Sequence, residues 1–242
     1  MFQFFIDESN KNDNLIYVTG EDLHHMKDVV RISPKEKVRV SVGKKSFIAE
    51  LSNYEDDRAV LNILEEVPSS ELSLNVTLYQ GMPKGEKFEF IIEKATELGA
   101  TRIVPVMMEN SVVKLKEDKV KGKIERWQKI IEAAAKQSKR SVIPLISSPM
   151  PYKEALEDAK SCDLVLVPYE NERGVSFTKE LLSDVRNKKS VAVFIGPEGG
   201  FSDKEVALTK EYGYNLVSLG NRILRTETAA ICALSLIMIE AD

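Results

Sequence analysis

Ser190-Val191-Ala192-Val193-Phe194-Ile195-Gly196-Pro197-Glu198-Gly199-Gly200-Phe201-Ser202-Asp203-Lys204-Glu205 decides how this chain folds. The first six residues form an apolar, β-branched run, the pattern of a buried strand. Gly196 to Gly200 holds three glycines and a proline, which neither a helix interior nor a central strand tolerates. Ser202 stands three residues before Glu205, a capping-box spacing, so a helix starts there. Gly213 ends it. A second strand, Asn215 to Leu219, leads into Gly220-Asn221-Arg222-Ile223-Leu224-Arg225-Thr226-Glu227-Thr228-Ala229. Two strands thus each end in a glycine-bearing loop. Ligands of open α/β sheets bind outside the carboxyl ends of strands, so the two loops predict a single cradle.

Strands and helices alternate through the region that contains this stretch. Leu74 to Gln80, Arg102 to Met108, Val142 to Ile146 and Asp163 to Pro168 read as strands. Glu86 to Leu98, Lys121 to Ser138, Tyr152 to Lys160, Val175 to Asn187 and Thr226 to Ile239 read as helices. The alternation predicts an α/β domain over 74–242 with a mostly parallel sheet covered on both faces. Residues 1–67 differ: short strand candidates, one short helix over Glu21 to Arg31, and the turn material of a small β-barrel. Glu65 to Glu71, polar and carrying Pro68, is the candidate linker.

With 43% apolar residues among 242, the chain can bury a sizeable core. Cys162 and Cys232 have no metal or redox spacing, and a reducing compartment is expected. His24 and His25 are adjacent and lack a third ligand, so no metal site is expected. No apolar run reaches membrane-spanning length and Met1 to Asp7 does not resemble a signal peptide, which suggests a cytoplasmic protein. The net charge of −4 argues against a nucleic-acid partner, but its distribution does not. From Val112 to Ser141 there are ten Lys or Arg against four Asp or Glu. Such a stretch is either a solvated helix face or a phosphate-contacting one.

No Gly-x-Gly-x-x-Gly follows the first strand of the α/β region, Met82-Pro83-Lys84-Gly85-Glu86 lacks the elements of a Walker loop, and no Gly-x-Ser-x-Gly elbow occurs. The paired loops, with Lys84-Gly85, Glu93-Lys94-Ala95-Thr96-Glu97-Leu98-Gly99, Glu125-Arg126-Trp127 and Glu132 to Arg140, resemble the RsmE family. Its members are 16S ribosomal RNA uridine-N3 methyltransferases of the SPOUT class. The resemblance spans residues 74–240 and extends weakly through His25 to Arg31, where Ser33-Pro34-Lys35-Glu36 departs from the family's Gly-Asp ending. It implies a SPOUT α/β-knot, in which the C-terminal segment forms a trefoil, and an N-terminal PUA-like β-barrel. It further implies S-adenosyl-L-methionine as cofactor, a homodimer, and 16S rRNA in the small ribosomal subunit as partner.

Glycines at 196, 199, 200 and 220 let main chain approach a flat ring, with Ile195, Leu219, Ile223 and Leu224 as apolar walls. The resemblance adds Pro168 and Tyr169 from a third loop, and Pro197, Glu198, Arg225, Thr228 and Ala229, to the cofactor-binding set. Methylation at N3 requires loss of a proton and leaves charge on O2 and O4. Arg225 is the candidate cation; Glu198 or Glu227 takes the proton or orients the cofactor. Candidate RNA contacts are Arg31, Lys84, Arg126, Lys136, Lys139 and Arg140, with Lys114, Lys116, Lys119, Lys121 and Lys123. The competing expectations are a non-catalytic RNA-binding protein, or a knotted methyltransferase acting on ribose or another base.

Overall fold

A computed structural model of the chain describes residues 1–113, 117–172 and 174–242. It has two compact units: residues 1–71 with 135–142, and residues 72–134 with 143–242.

The smaller unit is a six-stranded sheet built from β1 (Gln3–Ile6), β2 (Lys11–Asn12), β3 (Leu15–Val18), β4 (Lys37–Val42), β5 (Lys45–Tyr54) and β6 (Ala59–Val67). Their order is β1-β4-β5-β6-β3-β2. The β1–β4 pair is parallel and the others antiparallel. Side chains from five of the strands, Phe4, Ile16, Val38, Val40, Leu51 and Leu61 among them, meet in one core. Met26 and Ile32 cap it from the helical segment, where α1 (Gly20–His24) runs into a π turn over His25–Val29. The expected linker is no free tether. Its Glu65 to Val67 finish β6, and Glu71 accepts the buried Arg140 guanidinium and the Ser141 amide (2.8 Å). With Gln3 Nε2 donating to the Arg140 carbonyl at 2.6 Å and Ser46 Oγ to Ser141 Oγ at 3.0 Å, these bonds explain why 135–142 groups with the N-terminal residues.

The larger unit contains β7 (Asn75–Gly81), α2 (Lys87–Glu97), β8 (Arg102–Met107), α3 (Glu117–Gln137), β9 (Leu145–Ile146), β10 (Met150–Pro151), α4 (Tyr152–Asp158), β11 (Leu164–Pro168), α5 (Ser176–Ser183), β12 (Ser190–Ile195), α6 (Asp203–Glu211), β13 (Asn215–Val217) and α7 (Thr226–Ala241). The sheet order is β10-β8-β7-β12-β11-β13, with β9 also on β8, and every pairing is parallel. Alternate residues of the central strands serve two cores, as a period of two requires. Leu78, Val193 and Leu166 pack with α2, α5 and α7 side chains. Tyr79, Phe194 and Val165 pack with α4, and Tyr79 stacks on Phe194 at 4.3 Å between ring centroids. The Ser202 capping box is present at the start of α6. The helix expected over 175–187 ends at Ser183, and a single 3-10 turn follows.

Candidate functional site

Strands β12, β11 and β13 are neighbours in the sheet, so their carboxyl-end loops lie side by side. Together these loops, near residues 168–172, 195–201 and 219–226, enclose a cavity of about 950 Å³. Every residue expected to hold a ligand lines it except Gly199 and Thr228. Gly199 is turned to Asn110, whose Cβ would lie 3.0 Å from an added methyl, and Thr228 is exposed on the first turn of α7. Arg225 reaches the cavity from the N-cap position of α7.

The loop after β12 is fixed from several directions. Its Gly200 amide bonds the Pro197 carbonyl at 2.9 Å, which closes the turn, and Gly200 sits at φ +66°, where glycine is favoured. Asn110 Nδ2 donates to the Gly199 carbonyl at 3.0 Å. Glu198 accepts from Lys87 Nζ at 2.8 Å and from the Lys84 amide at 3.1 Å. Burial pushes the Glu198 carboxyl up, but the Lys87 ammonium and the amide bonds outweigh it and leave it below the usual carboxylate range. Gly81, the last residue of β7, lies directly beneath: a methyl group there would meet Pro197 Cδ at 2.6 Å and Pro197 N at 2.7 Å.

The loop after β13 is different. Gly220 has φ +116° with nothing within 4 Å of a Cβ position, and its amide bonds Ser218 Oγ at 3.2 Å. From Asn221 to Leu224 no hydrogen bond ties the loop to other described residues. Ile223 is 85% exposed. The third loop is held to β13 by the Tyr169 amide on the Val217 carbonyl at 3.0 Å.

The two carboxylates that sequence left as alternatives now differ. Glu198 lines the cavity but is engaged as described. Glu227 does not line it, and its Oε2 is buried with no partner among the described residues. Residues outside the expected binding set also matter: Lys87, Glu170, Asn221 and Arg222 line the cavity, and Gln80 is fully buried behind it. In the sequence Gln80 stood only as the last residue of the strand expected over Leu74 to Gln80.

Of the expected RNA contacts, Arg31, Lys84, Lys119, Lys121, Lys123, Arg126 and Lys139 are exposed. Arg31 takes a left-handed conformation (φ 56°), and Arg126 bonds Glu89 at 2.8 Å with its side chain 65% exposed. Lys136 is half-buried, 3.8 Å from Asp22. Arg140 does not fit the expectation: it is 3% exposed and its guanidinium is held by Glu71, so it supports the fold and cannot reach a phosphate. Lys114 and Lys116 lie outside the described residues.

Residues 70–238 match the RNA methyltransferase domain family. Over 231 residues the chain is 35% identical to ribosomal RNA small subunit methyltransferase E of Bacillus subtilis, covering 93% of this chain and 90% of that protein. The chain belongs to the ribosomal RNA small subunit methyltransferase E family. Among solved structures, the Neisseria gonorrhoeae family member bound to S-adenosyl methionine superposes with a TM-score of 0.83 at 30% identity, covering 99% of this chain and 97% of that one. A Legionella pneumophila protein with the same cofactor bound gives 0.82 at 31% identity, covering 98% and 97%.

Proposed function

We propose that this protein is an S-adenosylmethionine-dependent methyltransferase that modifies N3 of a uridine in the 16S RNA of the small ribosomal subunit. The observation that carries this is the cavity itself, lined by the loops at the carboxyl ends of three adjacent parallel strands. Its volume of about 950 Å³ falls within the range of cofactor pockets, roughly 300–1,000 Å³. Gly220 opens the main chain toward it, and the unbonded backbone of 221–224 offers N–H and C=O groups to a heterocycle edge. These features fit an adenosine-bearing cofactor, as do the family's solved structures.

When bound, S-adenosylmethionine supplies an electrophilic methyl group on a sulfonium. The chain's own residues then have separable tasks. Ile195, Leu219 and Leu224 exclude water and clamp the ring; Pro168, Tyr169, Gly196, Pro197 and Gly200 shape the opposing walls. Arg225, at the cavity and carrying a fixed positive charge, faces the uridine carbonyls and stabilises the negative charge left by deprotonation. Of the two carboxylates, Glu198 lines the cavity and is committed to Lys87 and the Lys84 amide, a role in orienting the cofactor loop; Glu227 stands behind the wall, so it would take the proton only by way of water. Exposed Arg31, Lys84, Arg126 and Lys139, with Lys119, Lys121 and Lys123, would bind phosphates and position the RNA without reading its sequence.

The same reading includes a trefoil knot, a PUA-like barrel, a homodimer and a cytoplasmic location. Supporting the knot, the chain leaves edge strand β13 and returns to the sheet centre, where α7 packs on α2 and β12. Supporting the barrel, side chains from five of the six strands meet in a single core. Supporting the dimer, α7 is apolar around most of its circumference, and Ile239 on it is 64% exposed. A helix apolar on all sides is normally covered on all sides. A ribosomal substrate supports the cytoplasm.

The test is incubation with methyl-labelled S-adenosylmethionine and undermethylated small subunits, followed by digestion to nucleosides. Label in 3-methyluridine is expected. Label in a 2′-O-methylated nucleoside or another base would refute the N3 assignment, and absence of label in RNA would refute the enzyme.

A further inference from the structure

Behind the cavity wall lies a directed chain of three hydrogen bonds. Gln80, at the end of β7 and paired in register with Ile195 of β12, is fully buried. Its Nε2 donates to the Gly81 carbonyl and to Thr226 Oγ1, both at 2.9 Å. Thr226 Oγ1 in turn donates to the Gly196 carbonyl at 2.6 Å. A hydroxyl has one proton, and here it is given to Gly196, so Thr226 must receive a hydrogen bond from Gln80 rather than give one. That fixes the amide orientation: turned over, it would set Oε1 against the Gly81 carbonyl and against a hydroxyl with no proton to spare. The arrangement leaves Gln80 Oε1 buried without a partner among the described residues. Burying an unpaired acceptor is unfavourable, so the donor end is where this side chain contributes.

We infer that Gln80 is a positioning residue for the methyl-donor site, acting through Thr226 to lock the first turn of α7 to the Gly196 carbonyl. This rests on the cofactor-binding reading above. Thr226 and Gly196 both line the cavity and come from different loops. The clamp ties the loop after β12 directly to the start of the last helix. Gln80 itself does not line the cavity. Its effect is on pre-organisation, which reduces the ordering cost of binding.

The experiment uses the full chain and three variants: Gln80→Glu, Thr226→Val and Thr226→Ser. Gln80→Glu keeps size and shape but replaces the donor with an acceptor, so the Thr226 proton is drawn away from Gly196. Thr226→Val removes the hydroxyl at constant shape. Calorimetry with S-adenosylmethionine and S-adenosylhomocysteine gives affinity; hydrogen exchange of the 196–201 amides in the free protein gives loop order. We expect Gln80→Glu and Thr226→Val each to weaken affinity at least tenfold and to speed exchange of these amides at least tenfold. Thr226→Ser should recover most of both losses. Affinity and exchange within twofold of wild type in Gln80→Glu and Thr226→Val would overturn the clamp. If either variant is too unstable to purify, the other decides. If wild type binds neither nucleoside, the cofactor reading fails, and unchanged or accelerated exchange still refutes or supports the clamp independently.

Discussion

The two glycine loops that help form the cavity follow β12 and β13, strands of one parallel sheet with only β11 between them, yet they are built in opposite ways. The loop after β12 is held at Gly200 by its own turn, at Gly199 by Asn110, at Glu198 by Lys87 and Lys84, and at Gly196 by Thr226. The loop after β13 is bonded at Gly220 only to the nearby Ser218 hydroxyl, and from Asn221 to Leu224 it has no bond to other described residues. A fixed wall and a loosely held wall divide the work of a binding site. The fixed one sets geometry before the ligand arrives, while the loose one can close over it. Arg225 stands at the end of the loose wall, so its placement for chemistry should depend on closure.

That division predicts different kinetic signatures for the two walls. Arg225→Ala should have the largest effect. Loss of a charge directed at a developing anion typically costs 10²–10³ in kcat, about 2.7–4 kcal/mol. We expect at least about a 100-fold fall in single-turnover methylation of small subunits, with S-adenosylmethionine affinity changed no more than about threefold. A fall confined to affinity would make Arg225 part of the cofactor wall and erase the proposed contrast.

The fixed wall is best broken from below. Gly81→Ala places a methyl 2.6 Å from the Pro197 ring and 2.7 Å from its backbone nitrogen. Neither atom belongs to a flexible chain end, so the turn itself must move. Overpacking of this kind costs about 1–3 kcal/mol. Cofactor affinity should fall about tenfold, while bound-state chemistry falls much less. At Gly220 a methyl meets no atom within 4 Å, and the cost is the φ of +116° alone. Because the residues that follow are unanchored, much of that strain, otherwise of order 1–3 kcal/mol, can relax. Gly220→Ala should weaken binding by about three- to fivefold, as titration would show. If it were more damaging than Gly81→Ala, the second loop would be the rigid one.

The sequence revealed these two walls because glycine and proline interrupt strong strand patterns, and that pattern needs no tertiary context. It also revealed the parallel alternation around β7 and β12, since strands buried on both faces read as unbroken apolar runs. It did not reveal the difference between the walls. Asn110 is an ordinary loop residue until folding brings it to Gly199, and Gly81 is one more glycine until Pro197 lies over it. Arg140 misled for the same reason. Its place in a basic run suggested phosphate, and only the partner at Glu71, distant in sequence, shows that the charge is already paired. Local pattern reports where backbone must bend; it does not report which polar groups find each other afterwards.

The smallest expected effect concerns the ion pair that helps fix the first wall. Glu198 has its carboxyl held below the ordinary range; burial opposes this, and the Lys87 ammonium and Lys84 amide prevail. A carboxyl depressed in the folded state stabilises the protein above its unfolded pKa, about 4.3. The contribution disappears as pH falls through the lower folded value. Glu198→Gln should therefore lower the Tm near neutral pH, and the gap should close as pH falls through the depressed folded value. The Lys87 and Glu198 side chains are 40% and 30% exposed, so solvent screens the pair. The loss should not exceed about 1 kcal/mol, or about 2–4 °C in a chain of this size. A gap that persists unchanged at acid pH would show that Glu198 holds the wall through shape rather than charge. The contrast between the two loops would then rest on Asn110, Thr226 and the turn closed at Gly200.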